Sequence, residues 1–211
     1  MTESSLPPQT PPEGQEGDSA WVSADTPFST EDLKELCADP IRLLRINSQM
    51  EFKELRQTGP NAYSIKAKNL SNDKFIDTTF TVSETDDAMT LNFDGGIKTK
   101  TVFKIEESKK GALLKVIDDY TGTPIEDREK HLDEVDKSLL IWGGDLFKYF
   151  QNWKRWTWIP GWKWYMRRVW QPMKPSSRRI AYMLWMITAF EFAVFLMVLT
   201  VFVVERNVTA L

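Results

Sequence analysis

The sequence has little cysteine and histidine. It holds one cysteine, Cys37, and one histidine, His131, among 211 residues. A single thiol cannot close a disulfide within the chain, which suits a reducing compartment. The apolar neighbours Leu36 and Ile41 predict that Cys37 is a buried core thiol rather than a reactive one. Because a typical zinc site needs several such ligands, we expect no metal site.

The chain also lacks the short motifs that mark common enzymes. It has no phosphate-binding glycine loop, no nucleophile elbow and no paired metal-ligand spacing. His131 stands among acidic residues and has the chemistry of a general base, but a solvated histidine on a charged helix face is the commoner situation. We therefore predict no catalytic residue and no cofactor, and an enzymatic activity is less favoured than a binding or a scaffold function.

The first residues contain no secretory signal. The stretch MTESSLPPQTPPEG has neither a basic start nor an apolar core. Residues 1–27 are rich in Pro, Ser, Thr, Gly and acidic residues, which predicts a disordered tail. Within it, AWVSA (20–24) has the composition of a short first strand or of a peptide that packs on the following domain. We place that domain at 28–156.

Charge is unevenly distributed along the chain. Residues 1–145 hold 17 Lys and Arg against 28 Asp and Glu, a net charge of −11, whereas residues 146–190 hold nine basic residues and no acidic one. The total of −3 therefore conceals an acidic domain followed by a basic segment.

Residues 50–120 alternate between apolar and polar side chains, which predicts strands. The segments are 50–57, 62–69, 75–83, 88–93, 97–106 and 112–120, and Gly, Pro, Asn, Asp and Ser separate them. Such short strands with tight turns favour a curved antiparallel meander with one covered face. Before it, Ser29 or Thr30 caps a helix that Pro40 interrupts.

A long amphipathic helix is predicted from about Glu126 to Trp156. Apolar residues recur in it at spacings of three and four, and Gly143 and Gly144 interrupt it. Glycine lowers helix propensity, so we expect another element to pack closely there. This helix is the natural cover for the sheet.

Two short helices, an antiparallel meander and a closing amphipathic helix resemble the START-like helix-grip superfamily, which includes polyketide cyclase/dehydrase and coenzyme-Q-binding proteins. The resemblance covers roughly Ser29 to Trp156, with DPIRLLRINSQMEF (39–52) and DREKHLDEVDKSLLIWGGDLFKYF (127–150) as its main stretches. It implies an α+β fold in which the long helix encloses an apolar cavity for a lipid, sterol, quinone or polyketide.

The resemblance also implies where a ligand would bind. The residues expected either to line a cavity or to fill a core are Phe80, Leu91, Phe93, Phe103, Tyr120, Leu139, Trp142 and Leu146. Tyr120 or the adjacent Asp119 would polarise a ligand at the mouth, unless they only cap the end of the strand.

The composition changes at residue 153. Residues 153–179 contain six of the nine tryptophans, eight basic residues and three prolines. Tryptophan favours the lipid headgroup region and basic residues attract anionic lipids, so this segment is predicted to be a membrane-interface collar. The interface residues are Trp153, Trp156, Trp158, Trp162, Trp164, Arg167, Arg168, Trp170, Lys174, Arg178 and Arg179. A nucleic-acid surface has similar chemistry, but the adjacent apolar stretch favours lipid, and we expect no nucleic acid.

That apolar stretch, 180–204, carries a single charge, Glu191. A helix of this length reaches about 37 Å, compared with about 30 Å for the hydrocarbon core of a bilayer. It predicts a transmembrane anchor between the collar (157–179) and a short tail (205–211). The excess of basic residues before the span places the N-terminal domain in the cytoplasm. One interpretation is that Glu191 contacts another helix, from a partner protein or from a second copy of this chain. The other is that it is a lone acidic residue that the apolar helix tolerates.

Together these features predict a single-pass membrane protein that holds or presents a lipid or another hydrophobic small molecule at the cytoplasmic membrane face. Its expected partners are the hydrophobic molecule and anionic lipid headgroups. The alternative is a non-catalytic scaffold or assembly factor that recruits a membrane protein complex through Glu191 and the acidic domain.

Overall fold

The computed structural model describes residues 19–108, 111–122, 124, 126 and 132–209. The chain divides into two compact units, Met1–Gln171 and Pro172–Leu211. His131 and residues 1–18 of the predicted tail lie outside the described residues.

The first unit is built on one antiparallel sheet of seven strands in the order β1-β7-β6-β5-β4-β3-β2. The strands are β1 (Ser19–Thr26), β2 (Met50–Gly59), β3 (Ala62–Asn69), β4 (Phe75–Glu84), β5 (Ala88–Phe93), β6 (Lys100–Ser108) and β7 (Gly111–Asp119). Strands β2 to β7 follow each other as a meander, as the alternating pattern predicts. Buried and less buried side chains alternate along β3, β5, β6 and β7, because successive side chains of a strand point to opposite faces of the sheet.

The first strand is longer than predicted and belongs to the domain. It runs from Ser19 to Thr26 and pairs with β7 over its whole length, from Ser19 opposite Asp119 to Thr26 opposite Ala112. The predicted domain start at residue 28 is therefore too late. The sequence signal is weak because β1 is an edge strand whose partner lies about ninety residues away in the chain.

Two short helices connect β1 to β2. Helix α1 (Thr30–Cys37) begins after Ser29, whose side chain accepts a hydrogen bond from the backbone N–H of Asp32. Helix α2 (Pro40–Ile46) begins at Pro40, since a proline in the first turn needs no backbone donor. Pro40 thus ends one helix and starts the next.

Helix α3 (Leu132–Arg155) covers the sheet. It approaches β1 closely at Gly143, where an added Cβ would lie 2.8 Å from Cγ1 of Val22. The neighbouring Gly144 has nothing within 4 Å of such a position. The predicted close packing therefore occurs at one of the two glycines.

This order of elements is the helix-grip fold, as the sequence predicts: a curved seven-stranded antiparallel sheet with a long helix after its last strand. After α3 the first unit continues through a short helix, α4 (Trp162–Tyr165), and one π-helical turn (Met166–Trp170).

The second unit is one helix, α5 (Pro175–Thr209). By length and composition alone, its stretch Pro175–Arg206 is long and apolar enough to cross a membrane.

Candidate functional site

The covered face of the sheet and the facing side of α3 form one apolar interior. Phe103 on β6 meets Trp142 of α3 edge to face, with ring centroids 5.4 Å apart. Phe80 on β4 stacks on Tyr63, 5.0 Å between centroids, and touches the half-buried Phe93 at 5.5 Å. Seven of the eight predicted cavity or core residues lie in or against this interior: Phe80, Leu91, Phe93, Phe103, Leu139, Trp142 and Leu146. The eighth, Tyr120, is buried just after the end of β7.

A polar cluster interrupts this apolar interior near the end of β7. The register places Thr101 opposite Asp118, and the Thr101 hydroxyl donates to Oδ1 of Asp118 at 2.5 Å. The Lys98 ammonium lies 3.2 Å from each oxygen of that carboxylate. The Tyr120 hydroxyl completes the set at 3.4 Å from Oδ2. We call Lys98, Thr101, Asp118 and Tyr120 the polar cluster.

The polar cluster joins the aromatic residues of the interior through Lys98. Its Nζ lies 5.2 Å from the ring centroid of Phe93 and 5.6 Å from that of Trp142. The Asp118 side chain is only 6 % exposed, whereas that of Lys98 is 29 % exposed. The ion pair therefore reaches from the interior toward solvent at this end of the sheet.

Asp119 lies outside the polar cluster, although it is the next residue. It sits opposite Lys100 and forms an ion pair with it, 3.0 Å between Oδ2 and Nζ. The backbone N–H of Thr121 donates to its Oδ1 at 2.8 Å, and the Thr121 hydroxyl binds the same oxygen. Burial raises the pKa of Asp119, but these bonds from Thr121 and Lys100 outweigh it and lower the pKa below 3.8. This geometry matches strand-end capping rather than ligand polarisation.

Sequence reasoning singled out Tyr120 and Asp119, but it gave no role to Asp118 and missed Lys98. No sequence signal marks Lys98, because it lies in the turn before β6 and meets Asp118 only through the register of β6 and β7. Within the part of the chain that the structure describes, no group of His, Cys, Asp and Glu is arranged to hold a metal ion.

The predicted collar is partly packed into the first unit. Trp153 is 4 % exposed, and two guanidinium groups contact its ring, with Cζ of Arg42 5.9 Å and Cζ of Arg167 5.3 Å from the ring centroid. The interface prediction for Trp153 is therefore wrong in this arrangement: its ring completes the core at the end of α3. Met166 is also buried.

Two further contacts hold this segment against the domain. Trp170 packs on Tyr149 of α3 with ring centroids 5.5 Å apart. The Nε of Arg42 donates to Oε1 of Gln171 at 3.3 Å. Trp156 and Trp162 are half-buried, and their ring centroids lie 6.2 Å apart.

The remaining predicted interface residues of the first unit are exposed. Trp158 and Trp164 are 75 % and 63 % exposed. Exposed basic residues surround them in the chain: Lys154, Arg155, Lys163, Arg167 and Arg168. In the second unit Lys174 and Arg179 are exposed and Arg178 is half-buried. The aromatic and basic character of the predicted interface is thus kept by this exposed subset.

No protein-family model and no curated protein match this chain. Solved structures do resemble it. Protein Ms6760 from Mycobacterium smegmatis aligns over 64 % of this chain and 91 % of its own at 12 % identity, with a TM-score of 0.46. The di-domain ARO/CYC StfQ from the steffimycin biosynthetic pathway aligns over 65 % of this chain and 52 % of its own at 11 % identity, with a TM-score of 0.46. Ara h 8.0201 aligns over 64 % of this chain and 97 % of its own at 15 % identity, with a TM-score of 0.41.

The fold assignment rests on this chain's own strand order and on the position of α3. By those criteria the chain has the START-like helix-grip fold, followed by one apolar helix with the length and composition of a membrane span.

Proposed function

We propose that this chain is a membrane-anchored protein that binds a lipid or another hydrophobic small molecule inside its helix-grip domain and holds or presents it at the cytoplasmic membrane face. The observation that carries the proposal is the apolar interior between the sheet and α3, in a chain that also has an apolar helix of membrane-spanning length. Ligand sites for small molecules are typically apolar with few polar groups, and this interior has that composition.

Native mass spectrometry of the full-length protein, released from detergent micelles, tests the binding. We expect a hydrophobic molecule bound at up to one per chain. Leu91→Trp adds volume to the buried face of β5 and should displace the molecule while the domain stays folded. Ile117→Trp is the matched control, because Ile117 lies on the other face of β7 from the buried Val116.

A filled core would give a different result. Overpacking a filled core costs about 1–3 kcal/mol, so Leu91→Trp would then lower the midpoint of thermal unfolding strongly. An empty wild-type protein together with that destabilisation would refute ligand binding.

The anchoring and orientation are tested separately. Carbonate extraction of membranes should leave the full-length protein in the pellet, because a spanning helix resists alkaline release. Protease added to the cytoplasmic side should remove the domain, since the basic residues before the apolar stretch favour that side. Release by carbonate, or protection of the domain, would contradict this part of the proposal.

A second candidate function is a scaffold that recruits or stabilises a membrane protein complex. Glu191, which stands in the middle of the apolar stretch, favours it, because an ionisable group at that depth is costly unless it is paired. Glu191→Leu should reduce self-association or partner recovery in crosslinking of native membranes, while Phe190→Leu at the adjacent position should not. Equal crosslinking of both variants and the wild type would exclude a contact through Glu191.

A further inference from the structure

Trp142 carries a buried hydrogen-bond donor without an acceptor. The residue is 3 % exposed, and its Nε1 has no hydrogen-bond partner among the residues that the structure describes. An indole N–H only donates, and a buried donor that loses water without gaining an acceptor destabilises the fold. An acceptor brought by a ligand would satisfy it.

The neighbouring Lys98 does not fill this role. Its ammonium contacts the ring of Trp142 with Nζ 5.6 Å from the centroid. A cation is attracted to the face of an indole ring, whereas the N–H lies in the plane of the ring. The contact with Lys98 therefore leaves the donor of Trp142 unused.

The polar cluster beside Trp142 is balanced in charge. Asp118 accepts hydrogen bonds from Thr101, Lys98 and Tyr120, so its acceptor capacity is largely occupied. Lys98 and Asp118 together carry no net charge. The Asp118 carboxylate would repel the full charge of an anionic ligand group and offset its attraction to Lys98, whereas a neutral oxygen carries only a partial charge and meets much weaker repulsion.

We propose that Trp142 Nε1, next to the polar cluster, binds the neutral oxygen acceptor of an otherwise apolar ligand, such as a ketone or ester carbonyl. The inference rests on the proposed function, because it names the chemical class of molecule that the interior takes. The apolar part of the ligand would lie along Phe103, which contacts Trp142, and along Phe93, which contacts Lys98.

Two matched probes test this assignment. The first is 6-propionyl-2-dimethylaminonaphthalene, a neutral fluorescent ketone, and the second is its 6-propyl analogue, which lacks the carbonyl. Binding to the full-length protein in nanodiscs is measured by equilibrium dialysis against empty nanodiscs, which corrects for partitioning into lipid. We expect the wild type to prefer the ketone about fivefold beyond that correction, the contribution of one neutral hydrogen bond.

The variant Trp142→Phe removes the N–H and keeps an aromatic ring, so the preference for the ketone should disappear while the analogue still binds. Trp153→Phe is the control, because Trp153 is also a buried tryptophan of α3 but lies away from the polar cluster. It should keep the preference. The comparison of the two probes on the wild type does not depend on the folding of any variant.

The outcomes separate two failures. Equal binding of ketone and analogue to the wild type would overturn this assignment and leave the proposed function standing. A ketone preference that survives in folded Trp142→Phe would overturn it too. If neither probe binds the wild type beyond the empty nanodiscs, this inference fails. An empty wild-type protein in native mass spectrometry would show that the proposed function fails as well.

Discussion

A methyl group added at Gly143 would strike β1, whereas the same change at Gly144 would meet open space. The Cβ of an alanine at 143 would lie 2.8 Å from Cγ1 and 3.2 Å from Cβ of Val22, and closer still to Cγ2. Val22 is a β-branched residue in a paired strand, so its side chain has little freedom to move away. At Gly144 no atom lies within 4 Å.

The two substitutions should therefore change the free energy of unfolding in opposite directions. Alanine gains about 1 kcal/mol of helix propensity over glycine at either position. Overpacking costs about 1–3 kcal/mol, and with a stiff neighbour we expect the upper half of that range at residue 143. Gly143→Ala should then lower the free energy of unfolding by about 1–2 kcal/mol, and Gly144→Ala should raise it by up to about 1 kcal/mol.

Thermal and denaturant unfolding of the full-length protein in one detergent, followed by tryptophan fluorescence, measures both effects. A change of 1 kcal/mol shifts the midpoint by about 2–4 °C for a domain of this size. A double variant, Val22→Ala with Gly143→Ala, should be less destabilised than the sum of its two single variants, because the smaller side chain at 22 makes room for the methyl group. If Gly143→Ala is as stable as Gly144→Ala, α3 does not pack on β1 as described.

Three further predictions concern single groups. Burial raises the pKa of Cys37 to about 12. The thiol reagent 5,5′-dithiobis(2-nitrobenzoic acid) should therefore label Cys37 only as fast as the domain unfolds. Immediate labelling of the folded protein would contradict the burial of Cys37. Ionised Asp119 stabilises the fold, because its pKa in the folded protein is lowered below 3.8. This stabilisation is complete above the pKa that Asp119 has in the unfolded chain, and it is lost as the pH falls through the pKa that Asp119 has in the folded protein. Asp119→Asn should therefore flatten the fall in stability below about pH 4, and an unchanged acid limb would contradict it. Brominated lipids in nanodiscs should quench a smaller fraction of the tryptophan fluorescence after Trp158→Phe and Trp164→Phe than in the wild type. Trp153→Phe removes a buried, unquenched emitter and should slightly raise that fraction; equal decreases in all three variants would refute the interface assignment.

The strands were predictable because their signal is local. Met89, Leu91 and Phe93 alternate with polar residues over six positions, and β5 occupies Ala88–Phe93 as predicted. The same holds for Thr101, Phe103 and Ile105 on β6, which all face the interior. Alternation identifies the covered face of a strand without reference to its partner.

The collar shows where local chemistry is ambiguous. A tryptophan ring suits both a protein core and a lipid headgroup region, so composition cannot distinguish Trp153, which is buried, from Trp158, which is exposed. The difference arises from tertiary contacts: Arg42, from a distant part of the chain, and Arg167, from the collar itself, both contact the ring of Trp153.

The sequence by itself determined the helix-grip element order, the inward face of the strands, the acidic domain with its basic following segment, and the apolar stretch 180–204, because each depends on residues close together in the chain. Only the tertiary structure decided that β1 joins the sheet, that Asp118 and not Asp119 faces the interior with Lys98, and that the donor of Trp142 lies buried beside them. These features depend on strand register and helix packing, which bring together groups that no local pattern relates.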